Sequence, residues 1–400
     1  MSGVDGTPAR PGRERIAELD VMRGLAFLAV VFQHSLAAYA PMQDIQAPDA
    51  VMMGMVLHFT KFAVPAFIFV TGMVLVHNYR HRLNYAGFIK KRTMDIFVPY
   101  ALWTLIYDLG LNGMPSTDPS RPALFLKNLA LGTEVYHLWF VIMIFQFYLA
   151  FPLLLALLKK LWDIMQTRLG AVAVVTGLTA LYTLLMWFSY SYIPAGGFNP
   201  SWPAVKLTFI DYRDRNFLFF ILYFIMGGLA GMKIAAWRGF IKDSAGWNAF
   251  LFTGLYIWVG YELVAGTPSG HINLNYSTLL KPSMFLFTAS GLLLVYGLSM
   301  SITGKNPLLS KILDFTGAYS YGGYLAHAMV LSFLVNKTFL HQIPGHHLIR
   351  SVLTFALCAP ISLALTFLLS KIPYGRLLIG PHRNIGRKNA ANREKNGMGF

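Results

Sequence analysis

The chain has 400 residues, of which 56% are hydrophobic and only 12% are charged. A soluble domain carries about 25% charged residues, so this composition excludes an ordinary soluble protein. The formal net charge of +16 does not indicate a nucleic-acid partner, because the basic residues cluster in alternate loops and form no soluble basic domain that would hold a duplex.

Apolar segments long enough to cross a bilayer recur along the chain, which predicts an all-α, polytopic integral membrane protein. An outer-membrane barrel would instead show alternating segments of about 10 residues. Connections rich in Gly, Pro, Asn and Ser separate the segments. The pattern predicts ten transmembrane helices, at 19–40, 51–77, 94–111, 137–158, 170–192, 216–236, 247–265, 281–301, 315–340 and 347–370.

The distribution of basic residues predicts the orientation. With the N-terminus in the cytoplasm, cytoplasmic segments hold 23 of the 33 Lys and Arg residues, and outer segments hold 8. This excess predicts that both termini are cytoplasmic in a multi-pass protein of the bacterial plasma membrane. Residues 1–15 are predicted to be disordered, 16–375 to form the membrane domain, and 376–400 to form a basic tail that contacts anionic membrane lipid.

The first predicted span carries two polar residues, Arg23 and His34, eleven positions apart. A helix turns about 100° per residue, so the two share one face and stand roughly 16 Å apart along the axis. Asp20, one turn before Arg23, joins that face. Charged groups inside a bilayer are costly and face a cavity or a partner. We therefore expect a polar tunnel that joins the two sides of the membrane.

His34 and Arg23 are the predicted catalytic residues. A neutral imidazole near pH 7 is a natural general base, although a histidine hydrogen-bonded to a neighbouring helix is the simpler alternative. Arg23 keeps its charge and suits a phosphate or a thioester carbonyl. Its alternative is a structural ion pair with Asp20.

A second group of residues follows on the predicted cytoplasmic side. The span FAVPAFIFVTGMVL, residues 62–75, carries Thr71 and Gly72, which permit close helix contact. A basic run ends with Lys91 and Arg92 just before the next span. We predict that Arg92, Lys91 and Thr71 bind a phosphate-bearing donor. The alternative is that the basic run only sets the membrane orientation.

Further candidates are predicted to line a cavity or to bind an acceptor. Glu134, His137 and Trp139 lie at the predicted outer face, where aromatic residues are also ordinary interface anchors. In SYGGYLAHAMV, His327 stands near mid-depth with Tyr324 one turn before it. A histidine within a span is a functional candidate, and a structural Tyr–His hydrogen bond is the alternative.

Motifs for phosphate loops, dinucleotides, zinc proteases and serine hydrolases are missing from the sequence. The spacing of His, Cys and acidic residues predicts no metal site. The single cysteine, Cys358, excludes an intrachain disulfide and is expected to be a small buried hydrophobe. We therefore predict no permanently bound cofactor.

Taken in order, these segments resemble the membrane-bound acyltransferase-3 family, over about residues 15 to 375. The resemblance lies in ELDVMRGLAFLAVVFQH, FAVPAFIFVTGMVL, IKKRTMDIFVPY, YHLWFVIMIFQFYLAFPLL and SYGGYLAH. The spacing of Arg23 and His34 matches the family's signature, and Thr71-Gly72 stands where Ser-Gly is commoner. The chain is most similar to the bacterial branch with proteins of poly-N-acetylglucosamine biofilm export and succinylation.

The resemblance implies ten membrane helices and transfer of an acyl group, acetyl or succinyl, from cytoplasmic acyl-CoA. The implied acceptor is a hydroxyl on an envelope glycan or a lipid-linked saccharide. His34 would be the catalytic histidine and Arg23 its companion, with acyl-CoA as a co-substrate. The alternative function is an exporter or flippase for a surface polysaccharide, with the same residues lining a permeation path.

Overall fold

The computed structural model describes residues 16–40, 45, 47–112, 120–266, 277–338, 340, 343 and 346–381. Those ranges contain helices and no strands, which confirms the predicted all-α class. The predicted disordered segment 1–15 and most of the predicted tail lie outside them. The α-helices are α1 (Glu18–Tyr39), α2 (Ala47–Thr60), α3 (Ala63–Tyr79), α4 (Tyr85–Arg92), α5 (Val98–Asn112), α6 (Arg121–Leu131), α7 (Trp139–Ile164), α8 (Arg168–Trp187), α9 (Pro203–Lys206), α10 (Ile221–Met232), α11 (Ile234–Asp243), α12 (Ala245–Ala265), α13 (Pro282–Lys305), α14 (Pro307–Lys337), α15 (His347–Leu369) and α16 (Arg376–Ile379).

In the described ranges, six helical segments are long and apolar enough to cross a membrane, and a bent pair would make seven. The chain is therefore a polytopic membrane protein. By length and apolar composition, however, the described residues contain fewer spans than the ten predicted. The six are Glu18–Tyr39, Ala47–Tyr79, Trp139–Ile164, Arg168–Tyr192, Pro282–Lys305 and His347–Leu369, and the bent pair is Phe217–Met232 with Ile234–Asp243.

The three remaining predicted spans are also helical, as α5, α12 and α14. Helix α5 has only 15 residues. Helices α12 and α14 are long enough, but polar side chains such as Asn248 and Glu262 in α12, and Ser320 and His327 in α14, lower their mean hydropathy. In α14 the polar positions that weaken the membrane signal are among those that form the candidate site described below.

Helix α1 packs against α14, α15, α3 and α13. Its contact with α14 is very close, because a Cβ at Gly317 would lie only 2.0 Å from the carbonyl oxygen of Asp20. Gly72 permits a similarly close contact between α3 and α10, because a Cβ there would lie 2.4 Å from the carbonyl oxygen of Phe224. Helices in a bilayer associate through such small residues because lipid offers no hydrophobic driving force.

A buried carboxylate anchors the start of α1. Glu18 is only 3% exposed and accepts hydrogen bonds from Nε and Nη2 of Arg238 at 2.7 and 3.0 Å. The Tyr296 hydroxyl donates a third bond at 2.9 Å. Arg238 lies on α11, which leaves α10 at a bend of 112°. A buried charge needs such partners, and these tie α1, α11 and α13 together.

Between α4 and α5 the helix widens into a π-helical turn, Thr93–Phe97. Pro99, the second residue of α5, has no N–H to donate to the usual ladder of helical hydrogen bonds. Asp95 in this turn accepts a hydrogen bond from Arg376 at 3.0 Å. Arg376 begins α16, in which Ile379 is buried. Arg376 and Ile379, which the sequence analysis assigned to the tail, therefore pack on the described domain.

Candidate active site

A cavity of about 420 Å³ lies between α1, α3, α7, α14 and the π-helical turn. Four of the predicted site residues line it: Arg23, Thr71, Arg92 and Tyr324. The structure therefore brings together side chains that come from four separate segments of the sequence. The remaining wall is formed by Asp20, Phe67, Ile96, Phe140, Val141, Ile144, Tyr148, Gly317, Ala318, Ser320, Tyr321 and Pro381.

Arg23 points into this cavity and pairs with Asp20, with 2.9 Å between Nη1 and Oδ1. The structural ion pair considered from the sequence is therefore present. The Arg23 side chain is still 31% exposed, so part of the guanidinium faces the cavity. A guanidinium has five N–H donors, and one carboxylate contact leaves others free for a ligand.

Arg92 closes the same cavity from the end of α4. Its guanidinium lies over the rings of Phe88 and Tyr148, at 5.2 and 5.4 Å from their centroids. Its buried Nε has no hydrogen-bond partner within the part of the chain described. Since Asp20 is the only carboxylate in the described lining, the two arginines leave the cavity with a positive balance that suits an anion.

The other two residues predicted to bind the donor differ in placement. Thr71 lines the cavity, and its hydroxyl donates to the Phe67 carbonyl at 2.8 Å. The hydroxyl oxygen therefore faces the ligand space only as an acceptor. Lys91 is exposed and is not part of the cavity wall, because the neighbouring position on a helix points in another direction.

Three histidines, from α1, the turn before α7 and α14, meet beyond the cavity. The rings of His34 and His327 stack with centroids 5.2 Å apart, and His137 lies edge-on to His327 at 4.7 Å. The Tyr136 ring stands 4.7 Å from that of His34. We call His34, His137 and His327 the histidine cluster. It joins the predicted catalytic histidine to two of the residues predicted for the acceptor.

Hydrogen bonding assigns a role to each nitrogen of His327. Nδ1 donates to the Tyr324 carbonyl at 2.5 Å, which leaves Nε2 with the lone pair in a neutral ring. That Nε2 is buried and has no partner among the described residues. An unsatisfied buried polar atom in a native structure calls for an explanation, and a substrate hydroxyl or a water molecule would supply one.

Tyr324 stands between the cavity and the histidine cluster. Its side chain lines the cavity, its ring centroid is 5.7 Å from that of His327, and its hydroxyl donates to the His137 carbonyl. His34 does not line the cavity. Among the described residues the cavity around Arg23 therefore does not extend to His34, and the single polar tunnel expected from the sequence is not present there.

Glu134 and Trp139 lie apart from the contact between the three rings. The Glu134 carboxylate accepts a hydrogen bond from the Asn128 side chain at 2.9 Å. Trp139 packs against Phe220, with ring centroids 5.9 Å apart. These contacts give both residues local partners near the start of α7.

Several residues around the site were missing from the sequence prediction. Tyr136 adjoins His34, Tyr107 adjoins His137 at 5.8 Å, and Tyr148 supports Arg92. Of these, Tyr136 had a signal in the sequence, as part of the aromatic segment at the predicted outer face.

The described residues contain no group of three or more His, Cys, Asp or Glu side chains with a geometry that could hold a metal ion. The three imidazoles stack and meet edge-on, so they do not converge on one point. Cys358 is fully buried, with its thiol 3.5 Å from the His327 carbonyl. It packs behind the cluster as a small hydrophobe.

Comparisons with known proteins show which family the chain resembles. Residues 16–371 match a family described as an acyltransferase domain. A protein of Bacillus subtilis (strain 168), named provisionally as the membrane-bound acyltransferase YfiQ, is 25% identical over 372 residues. That similarity covers 92% of this chain and 94% of the relative. No solved structure matches the chain significantly.

Proposed function

The chain belongs to this family of membrane acyltransferases, and from that premise we propose that it transfers an acyl group from cytoplasmic acyl-CoA to a hydroxyl of an envelope saccharide. The observation that carries the proposal is the arrangement of a cavity with two arginines beside a cluster of three histidines, with Tyr324 between them. The proposed acyl group is acetyl or succinyl, and the proposed location is the bacterial plasma membrane.

The cavity supports binding of the donor. Coenzyme A carries a diphosphate and a further phosphate, and guanidinium groups bind phosphate oxygens through paired N–H donors. Arg23 and Arg92 both line the cavity. In our proposal they hold the phosphates while the narrow pantetheine arm extends past Tyr324 toward His34. Tyr324 must then move, which breaks its hydrogen bond to the His137 carbonyl.

The histidine cluster supports the chemical step. His34 takes the proton from the acceptor hydroxyl, whose oxygen attacks the thioester carbonyl. The C–S bond breaks as the new C–O bond forms, and the proton passes to the leaving sulfur, so the products are an ester and free CoA. In a two-step variant His34 carries the acyl group before the acceptor takes it. His327 would hold His34 in place and offer Nε2 to the acceptor.

Purified protein in lipid nanodiscs provides the test. Acetyl-CoA or succinyl-CoA is supplied together with a saccharide acceptor. The concentration of free CoA thiol is measured over time, and the mass of the acceptor is determined by mass spectrometry. We expect release of CoA together with a fixed mass gain of the acceptor, both lost in His34→Ala. Acceptor modification by the His34→Ala protein at the wild-type rate would contradict the proposal.

The same assay separates the enzyme from an exporter or flippase. An exporter moves glycan without acyl-CoA and releases no thiol, whereas the proposed enzyme needs acyl-CoA. Mass spectrometry of envelope polysaccharide from cells with and without the protein would then identify the acyl group and its acceptor. Identical polysaccharide masses in the two strains would count against a saccharide acceptor.

A further inference from the structure

A long apolar groove follows α13 on the side of α12, away from the candidate active site. Two recesses, of about 810 and 170 Å³, share Leu294 and Leu298 and therefore adjoin. Hydrophobic side chains line most of the length. The smaller recess is closed by aromatic rings, and the larger one is walled by residues of α11, α12 and α13.

One end of this groove is basic. Lys242 of α11 and Lys305 at the end of α13 line it, together with the Ser301 hydroxyl. Neither recess has an Asp or Glu among its described lining residues. The charge distribution of the whole sequence assigns this end to the cytoplasmic side. An apolar groove with two cations at its mouth is complementary to an anionic amphiphile.

The geometry of α11 sets the depth of the basic end. Because α10 and α11 meet at a bend of 112°, α11 runs roughly along the membrane plane when α10 crosses it. Phe240 of α11 is exposed, and Lys242, two residues later, lies on roughly the opposite face of the helix. A helix with aromatic residues on one side and Lys or Arg on the other lies at the headgroup boundary. Lys242 therefore stands at the level of lipid phosphates.

The length of the groove also matches one membrane leaflet. Eleven residues separate Leu294 from Lys305, which corresponds to about 16 Å along a helix. The hydrocarbon of one leaflet is roughly half of the ~30 Å bilayer core. An acyl chain whose headgroup is held beside Lys305 would therefore lie along the groove as far as the shared residues Leu294 and Leu298.

We propose that this groove is a binding site for an anionic phospholipid of the cytoplasmic leaflet. The phosphate lies between Lys242 and Lys305, and one acyl chain packs against Leu294 and Leu298. Basic pockets between transmembrane helices bind acidic headgroups in this way. The proposal does not depend on the proposed enzymatic function.

Native mass spectrometry of the protein in detergent tests the charge requirement. Phosphatidylglycerol and phosphatidylcholine with identical acyl chains are titrated separately. We expect phosphatidylglycerol to bind more tightly, and the double variant Lys242→Gln/Lys305→Gln to weaken its binding about thirtyfold, or about fivefold for each lysine. The matched control, Lys159→Gln/Lys160→Gln, removes two exposed lysines at the end of α7 and should change binding less than twofold.

A second variant tests the groove itself. A Cβ at Gly304 would meet nothing within 4 Å, so Gly304→Leu has room to fold and fills the space that the acyl chain needs. We expect it to remove the lipid adduct while both lysines remain. Equal binding of the two lipids, unchanged binding in the lysine double variant, or full binding in Gly304→Leu would each overturn the proposal.

Discussion

His34 and His327 stack their imidazole rings 5.2 Å apart, between centroids, although one lies on α1 and the other on α14 near the end of the chain. The close crossing at Gly317, where α14 meets the Asp20 carbonyl, permits this contact. Arg23 on α1 and Tyr324 on α14 line the adjoining cavity. The α1–α14 pair therefore supplies both halves of the candidate active site.

We predict that His34→Ala lowers the rate of acyl transfer by about 10²–10⁴-fold, as is typical for loss of a general base. Membrane expression should be unchanged, because the side chain is not part of a described ion pair. His81→Ala provides the control, since His81 is exposed outside the cluster and its replacement should leave the rate within twofold. Steady-state release of free CoA in the presence of acceptor measures the effect.

Arg92→Ala should raise KM for acyl-CoA by roughly 10–100-fold, since a hydrogen bond to a charged group contributes about 1.5–3 kcal/mol. Lys91→Ala is the matched control, because Lys91 is the adjacent basic residue but lies outside the cavity. Its KM should change less than twofold. If the two variants weaken the donor equally, the basic run acts as a diffuse charge and the cavity is not the donor site.

Tyr324→Ala should uncouple hydrolysis from transfer. Removal of the ring would join the cavity to the histidine cluster and admit water to the thioester. We expect CoA release without acceptor to rise severalfold, while transfer to acceptor falls. Tyr324→Phe keeps the ring but loses the bond to the His137 carbonyl, and its hydrolysis should stay near the wild-type level. Low hydrolysis in both variants would argue against Tyr324 as the barrier.

Gly317→Ala should destabilise the protein by about 1–3 kcal/mol, the usual cost of overpacking. A Cβ there would lie 2.0 Å from a backbone oxygen of α1, which cannot move aside as a flexible side chain would. Gly254→Ala is the control in α12, where a Cβ meets nothing within 4 Å, and it should be neutral or slightly stabilising. Thermal unfolding in detergent compares the two, and equal midpoints would show that the α1–α14 crossing relaxes easily.

Much of the architecture could be predicted because it depends on local periodicity. Apolar length and basic loops predicted a polytopic α-helical membrane protein, and the eleven-residue spacing placed Arg23 and His34 on one face of α1. The number of spans was less predictable. Helix α14 covers the predicted span 315–340 as far as Lys337 but carries polar residues such as Ser320 and His327, which lower its mean hydropathy.

By itself, the sequence determined the membrane class, the polar stripe of α1 and the ordered motifs that relate the chain to an acyltransferase family. Only the tertiary structure decided that Arg92 joins Arg23 while Lys91 does not, that His327 is the stacking partner of His34, and that Tyr324 separates them from the cavity. The physical reason is that helix periodicity is encoded by near neighbours. Contacts between helices depend instead on crossings such as the one at Gly317, where packing alone chooses which distant side chains meet.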